Sequence, residues 1–67
     1  MTSSQFAAPV RLISRKEVIE RTSLSAATIW RLIKRNEFPA AIKISKRRVA
    51  WDERQVELYI EARRAKP

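Results

Sequence analysis

The fold is decided by residues 24–39, which read LSAATIWRLIKRNEFP. Ser25 is a typical helix N-cap, Asn36 tolerates the left-handed conformation that ends a helix, and Pro39 cannot continue one. Between them the apolar residues recur at helical spacing and form one face. That face has four members: Ala26, Ile29, Leu32 and Ile33. The stretch therefore predicts a helix over residues 26–35.

An earlier helix is predicted from the sequence SRKE, which begins at Ser14. Ser14 can cap the helix while Glu17 reaches back to it, which is the pattern of a capping box. The helix runs to about Arg21, and residues 22–23 break it. Residues 10–13 precede it as a short apolar lead-in that can be extended.

Two short strands and a third helix follow. Residues 41–44 and 49–51 alternate in polarity, as β-strands do, and residues 45–48 form the turn between them. Asp52 can cap a helix over residues 53–64. The order of elements predicts an α+β, mainly α fold, a small winged helix-turn-helix with a two-stranded β wing and a C-terminal helix.

The apolar positions predict one core in a single domain of residues 11–64, between flexible tails at residues 1–10 and 65–67. The predicted core residues are Leu12, Val18, Ile19, Leu24, Ile29, Leu32, Ile33, Phe38, Ile42, Ile44, Val49, Trp51, Val56, Tyr59 and Ile60.

The net charge is the strongest global signal. The 67 residues include 15 Lys or Arg and 7 Asp or Glu, which gives a net charge of +8. Residues 11–48 hold 11 basic and 3 acidic residues and carry the whole excess, whereas residues 49–67 hold four of each. Such segregation points to one cationic face and a polyanionic partner.

Missing residue types exclude most enzymes. The chain has no Cys, His or Gly, so it lacks thiolate ligands, the usual general base near neutral pH and glycine-rich phosphate loops. We expect no enzyme activity, no cofactor and no metal. No apolar run reaches the roughly 18 residues of a membrane span, and residues 1–9 do not resemble a secretory signal. We expect a cytoplasmic, nucleoid-associated protein with no membrane partner.

The second helix is the predicted DNA-reading element, because the second helix of a helix-turn-helix enters the major groove. Ala27 and Thr28 can touch a thymine methyl, and the planar guanidinium of Arg31 suits guanine. Lys34 and Arg35 lie further along and are expected at phosphates. The predicted DNA-contacting residues of this helix are Ser25, Ala27, Thr28, Trp30, Arg31, Lys34 and Arg35.

Trp30 lies on the flank of the outer face and has two interpretations. It can pack on a sugar–phosphate strand, or it can belong to the core, as large aromatic side chains often do. The arginines of this helix can likewise form an ordinary solvated face.

Two further sets of cations extend the predicted DNA surface. Lys46, Arg47 and Arg48 stand at the hairpin tip, where they are expected to reach a phosphate strand or the minor groove. Arg15 and Lys16, with the free amides of the first helical turn, are expected to contact the DNA backbone.

Three carboxylates recur every four residues along the third helix: Glu53, Glu57 and Glu61. This spacing is typical of an exposed face, where we expect them to pair with Arg54 and Arg63–Arg64.

The decisive stretch resembles the signature L-S-x-x-T-I-Y-R-L-I-x-x-G-x-F-P of the AlpA-type prophage regulators. Residues 49–60 resemble the pattern V-x-W-x-x-x-x-[IV]-x-x-W-[IL] that is common in that family, with Tyr59 at its second tryptophan, and residues 12–18 fit its opening. The resemblance covers about residues 11–64. The family is related to phage and integrative-element excisionases and, more distantly, to MerR-type DNA-binding domains.

This resemblance implies a winged helix-turn-helix that binds duplex DNA beside a mobile element. Some members regulate transcription of integration or excision genes. Others are recombination directionality factors, which coat and bend an attachment site so that an integrase excises the element. Excisionases often bind several adjacent sites head to tail.

The chain departs from the family pattern at several further positions. Ser23 and Asn36 replace glycines that are usual at the two helix ends, which bears on local stability, and Trp30 replaces a tyrosine. Leu58 replaces a smaller residue. Because a helical wheel exposes Leu58, we interpret it as a contact between protomers on DNA.

The leading prediction is a non-enzymatic, site-specific DNA-binding protein of a prophage or integrative element. It binds repeated sites cooperatively and acts as an excisionase or as a transcriptional regulator of integrase and excision genes. Its expected partners are double-stranded DNA, further copies of itself and an integrase. The alternative is a basic adaptor whose cationic face binds an acidic protein rather than DNA.

Overall fold

The computed structural model describes residues 11–65. In chain order its elements are β1 (Leu12–Ser14), α1 (Arg15–Thr22), α2 (Ala26–Lys34), β2 (Ile42–Ser45), β3 (Arg48–Asp52) and α3 (Glu53–Arg64). They form a mainly helical α+β fold, and the predicted winged helix-turn-helix is confirmed. The tail predicted at residues 1–10 and the last two residues of the tail predicted at 65–67 lie outside the described residues.

Each helix begins at the capping side chain that the sequence predicts. Ser14 Oγ accepts a hydrogen bond from the Glu17 amide at 3.2 Å. Ser25 Oγ accepts one from the Thr28 amide at 3.1 Å. The side chain of Asp52 caps α3 in the same way. These bonds satisfy amides that have no partner inside the first helical turn.

The turn between α1 and α2 is built on Ser23, which adopts the left-handed conformation at φ 62° and ψ 20°. Its amide donates to the Ile19 carbonyl at 2.8 Å and closes the end of α1. The Thr22 hydroxyl accepts a hydrogen bond from the Leu24 amide at 3.2 Å. The backbone thus reverses within three residues, which fixes how α2 crosses α1.

The end of α2 is a Schellman motif. Asn36 is left-handed at φ 60°, as the sequence predicts. Its amide donates to the Ile33 carbonyl at 3.0 Å, and the Glu37 amide donates to the Leu32 carbonyl at 2.8 Å. This pair of bonds satisfies two carbonyls at the helix end and turns the chain toward β2.

The three strands form one antiparallel sheet with β3 in the centre. Ile13 in β1 lies opposite Trp51, and Ile42 in β2 lies opposite Ala50. The predicted two-stranded wing is present, and the apolar lead-in adds a third strand to its sheet. A two-residue turn, Lys46–Arg47, joins β2 to β3.

The core lies between the inner face of the sheet and the three helices. Its buried residues are Ile13, Val18, Ile29, Phe38, Trp51 and Val56. Packed around these are partly buried side chains: Ile19, Leu24, Leu32, Ile33, Ala41, Val49, Tyr59 and Ile60. Most of the predicted core is therefore confirmed.

Three predicted core residues are instead exposed: Leu12 (44%), Ile42 (41%) and Ile44 (48%). The reason is the strand register, because neighbouring residues of a strand point to opposite faces. Ile13 and Trp51 share the inner face, so Leu12 points outward. Ile42 pairs with Ala50 on the outer face, and Ile44 lies where the pairing of β2 with β3 is irregular, between Lys43 and Ser45. The sequence prediction wrongly placed these three aliphatic side chains in the core and missed the buried Ile13.

Trp51 ties the segment after α2 to the sheet. The indole is fully buried, and its Nε1 donates to the Pro39 carbonyl at 3.0 Å. Next to Pro39, the ring of Phe38 meets the ring of Tyr59 edge to face at 4.6 Å between centroids. These contacts hold the exit of α2 against both β3 and α3.

Candidate nucleic-acid interface

The outer face of α2 is cationic and open. Ile29 is fully buried, which confirms the inner face that the helical wheel predicts. The exposed side chains of α2 and its C-cap are Ala27, Trp30, Arg31, Lys34 and Arg35. The small side chain of Ala27 stands near the N-terminal end of this face, and the three cations follow from Arg31 onward. A small start and a basic end suit the approach of a helix to the floor and wall of a major groove.

Ser25 and Thr28 form a small hydrogen-bonded unit at the start of α2. Ser25 Oγ accepts from the Thr28 amide at 3.1 Å and donates to Thr28 Oγ1 at 3.0 Å. The Ser25 hydroxyl is thus engaged in capping. The hydroxyl hydrogen of Thr28 has no acceptor among residues 11–65, so of the two hydroxyls it is the one available to donate to a ligand.

Trp30 is partly in the core and partly at the surface, so each of its two sequence interpretations holds in part. Its side chain is 38% exposed, yet its ring centroid lies 5.9 Å from that of the buried Trp51, with the planes tilted by 51°. One side of Trp30 therefore packs on β3 and the rest reaches the surface beside Arg31. This contact connects the predicted reading helix to the wing strand.

The structure brings the first helix and the wing tip together. Arg15 and Lys16 of α1 line a groove of about 570 Å³ that Arg47 and Arg48 line from the other side. Half-buried Ile19 and Val49 also line this groove, and so does Glu20. Lys46 is exposed at the tip but does not line the groove. The two cation sets that the sequence analysis treats separately thus share one surface.

The acidic residues gather around one arginine at the junction of α1 and α3. Arg21 bonds Glu17 at 2.7 Å, Glu53 at 2.9 Å and Glu57 at 2.6 Å. The hydrogen bonds that Arg21 donates to Glu17 and then to Glu53 raise the pKa of Arg21 above its ordinary value. The predicted reach of Glu17 back to the cap at Ser14 is wrong, because this nearby guanidinium takes its carboxylate.

The expected pairing along α3 is confirmed only at its end. Arg64 bonds Glu61 at 2.9 Å. Arg63 instead stacks over the Tyr59 ring at 3.9 Å, and Glu53 accepts from Arg21 rather than from the expected Arg54. Residue spacing along one helix cannot show that a cation from another helix competes for its carboxylates.

The ion pairs divide the surface into two parts. Within the described part of the chain, the paired cations are Arg11, Arg21 and Arg64. None of them belongs to α2 or to the wing tip. The unpaired positive charge is therefore concentrated on α2, the β2–β3 turn and the start of α1, whereas the α1–α3 junction is close to neutral. The role of Arg21 was missed from sequence. Its spacing of four residues from Glu17 indicates that ion pair, but not the bonds from Arg21 to α3.

Leu58 lies on the side of α3 that the wheel predicts. It is 58% exposed and borders a shallow groove of about 370 Å³ between α3 and the segment after α2. Pro39 and Ala62 also line this groove. The side chain is thus an apolar protrusion next to a depression of mixed lining, to which Glu37, Gln55 and Arg63 contribute polar groups.

A winged helix-turn-helix whose second helix and wing tip carry unpaired cations is the architecture of a DNA-binding regulator. The family model described as Prophage CP4-57 regulatory protein (AlpA) matches residues 11–64. The chain belongs to this family of prophage regulatory proteins. The comparison with curated proteins gives no match.

Two further findings concern chemistry and membranes. In the stretch from residue 11 to residue 65, there is no group of three or more Asp or Glu side chains placed to hold a metal ion. Across the same stretch, the helices are too short or too polar to cross a lipid bilayer.

Proposed function

We propose that this protein is a site-specific double-stranded DNA-binding protein of an integrated mobile element, acting at the bacterial nucleoid in the cytoplasm. It acts either as an excisionase, that is, a recombination directionality factor, or as a transcriptional regulator of integrase and excision genes. The observation that carries the proposal is the separation of charge. Ion pairs neutralise the α1–α3 junction, and the cations of α2 and the wing tip have no carboxylate partner among residues 11–65.

In this proposal α2 lies in the major groove. Ala27 and Thr28 approach base edges closely, and Arg31, one turn later, offers its planar fork to guanine O6 and N7. Lys34 and Arg35 meet phosphates at the far end of the helix. Trp30, held against Trp51 by the 5.9 Å ring contact, presents its free edge to the neighbouring sugar–phosphate strand.

Lys46, Arg47 and Arg48 at the wing tip, and Arg15 and Lys16 at the start of α1, supply the sequence-independent part of the affinity. Cations that neutralise phosphates release counterions, and this release makes binding strongly dependent on salt.

Several copies on repeated sites follow from the size of the domain. One α2 reads only a few base pairs, so useful specificity in a genome requires additional protomers on adjacent sites. Leu58, the exposed residue of α3, is the proposed contact between neighbouring protomers. Assembly of this kind also allows DNA bending, and an integrase is the partner that a bent attachment site serves.

A salt titration tests DNA binding directly. If about six phosphates are neutralised, the logarithm of the affinity for duplex DNA falls with the logarithm of salt concentration at a slope near −5. No binding to duplexes from the attachment site or the adjacent promoter, together with capture of an acidic protein by the same cations, would establish the adaptor function instead. Footprinting on both regions, followed by an excision assay with the integrase, separates the excisionase from the transcriptional regulator.

A further inference from the structure

The groove between α1 and the wing tip has the make-up of an anion site. Arg15 and Lys16 enter it from α1, and Arg47 and Arg48 enter it from the β2–β3 turn and the start of β3. All four side chains are exposed, and none forms an ion pair with a carboxylate in residues 11–65. These four cations outnumber the one carboxylate that lines the groove, so the groove carries a net positive charge and is poised to bind an anion.

The size and lining of the groove favour an anion that has an apolar group next to its charge. Its volume is about 570 Å³, which falls within the roughly 300–1,000 Å³ of small-ligand sites. Ile19 and Val49 contribute apolar surface between the cations. A sugar–phosphate unit matches this combination, because its phosphate can accept hydrogen bonds from the guanidinium groups while its deoxyribose packs on the aliphatic side chains.

We infer that this groove is a clamp for a single backbone phosphate, closed by α1 on one side and by the wing on the other. The inference rests on the proposed DNA binding and deepens it. In this clamp Arg15 and Arg48 contact the same phosphate rather than two different ones. The clamp fixes the angle between the wing and the reading helix on the duplex, because a phosphate held from both sides sets the register of the whole domain.

The carboxylate of Glu20 opposes phosphate binding in the clamp. It lines the same groove, is exposed, and has no cationic partner within residues 11–65. Its carboxylate repels an incoming phosphate, so its charge lowers the affinity of the groove. A Glu20→Gln substitution is therefore expected to strengthen binding, which a loss of folding cannot imitate.

The first experiment titrates inorganic phosphate into the full chain and follows backbone amides by NMR. The amides of Arg15 and Arg48 should move together with one dissociation constant in the millimolar range. Glu20→Gln should tighten that constant, and Arg15→Ala should abolish the movement at Arg48 as well as at position 15. Arg54→Ala, which removes an exposed cation of α3 outside the groove, serves as the matched control and should change nothing. Absent or independent movements of the two amides would overturn the clamp.

The second experiment uses duplex DNA in which one phosphate at a time is replaced by a neutral methylphosphonate. On unmodified DNA, Arg15→Ala and Arg48→Ala should each weaken binding about tenfold, the scale of one charge-assisted contact. At one and the same modified position, both substitutions should lose their effect. Loss of effect at two different positions would overturn the single-phosphate clamp and leave DNA binding intact. Failure of the unsubstituted protein to bind any duplex would overturn the proposed function, and the phosphate titration would then decide the clamp alone.

Discussion

The rings of Trp30 and Trp51 lie 5.9 Å apart, with their planes tilted by 51°. One indole belongs to the reading helix and is partly exposed, and the other is fully buried in the central strand of the wing sheet. The pair is thus a direct link between the two elements that the proposed function places on DNA.

This link makes Trp30 a stability residue as well as a surface residue. Replacing Trp30 with Ala removes the ring contact and part of the apolar cover of the core, so the free energy of unfolding is expected to fall by about 1–3 kcal/mol. Trp30→Tyr keeps an aromatic ring at this position and should recover most of the loss. Urea unfolding measures both variants, and an alanine variant as stable as the parent would show that the contact contributes nothing.

Ser23 is predicted to limit the stability of the helix-turn-helix. A non-glycine residue in the left-handed region costs roughly 1–2 kcal/mol, and glycine removes that cost at a smaller penalty in the unfolded chain. Ser23→Gly should therefore stabilise the protein by about 0.5–1 kcal/mol. Asn36→Gly should gain less, because asparagine tolerates this conformation better than serine.

The control for this prediction is Ser23→Ala, which keeps a Cβ at the left-handed position and should show no gain. Thermal unfolding of the three variants is sufficient. Equal stability of the glycine and alanine variants at position 23 would contradict the prediction.

The local features of the fold could be predicted from sequence because they depend on residues at most a few positions apart. The cap at Ser25, the helix end at Asn36 and the buried face around Ile29 are all of this kind. Glycine-type positions could also be located, although the chain carries serine and asparagine there.

The features that depend on distant residues could not be predicted. The face on which Ile42 lies follows from its pairing with Ala50 across the sheet, and a four-residue alternating strand fits either face equally well. The bonds from Arg21 to Glu53 and Glu57 cross 32 and 36 positions. For the same reason, the sequence does not show that Arg15 and Arg48 line one groove.

Arg21 is predicted to stabilise the junction of α1 and α3 without affecting DNA binding. Arg21→Met leaves Glu17, Glu53 and Glu57 close together without a cation, so the melting temperature should fall more than it does for Glu57→Gln. The raised pKa of Arg21 keeps the group charged throughout the ordinary pH range. Stability from a raised cationic pKa is complete below the unfolded value and is lost only as the pH rises through the folded one.

The expected pH profile therefore has no loss attributable to Arg21 from neutral to moderately alkaline pH. Melting curves across that range, for the parent and for Arg21→Met, should run parallel at the alkaline end. An affinity for DNA that dropped in Arg21→Met at a temperature where the variant is folded would contradict the separation of the two surfaces.

Arg31 is the sharpest test of the reading helix. Arg31→Ala is expected to cost about 1–3 kcal/mol on the cognate site and to relax the preference for one base pair, because the proposed function places its fork on a guanine edge. Competition binding against a panel of single-base variants measures both effects. Arg54→Ala provides a control of equal charge change on α3. Equal losses on cognate and random DNA would show that Arg31 contacts a phosphate instead.

Leu58 is predicted to act between protomers and not within one. It is 58% exposed and stands beside the shallow groove between α3 and the segment after α2, so its removal exposes no core. Leu58→Ser should therefore leave the affinity for a single isolated site and the melting temperature unchanged, while it weakens cooperative binding to two adjacent sites. A matched control is Ile44→Thr, which removes apolar surface from another exposed aliphatic residue, located in β2 and 48% exposed. Gel-shift titrations on one-site and two-site duplexes separate the single-site affinity from the cooperativity. Unchanged cooperativity in Leu58→Ser would show that this side chain makes no contact between protomers. The same loss of cooperativity in Ile44→Thr would show that the effect is not specific to the position of Leu58. Either outcome would refute the role assigned to Leu58.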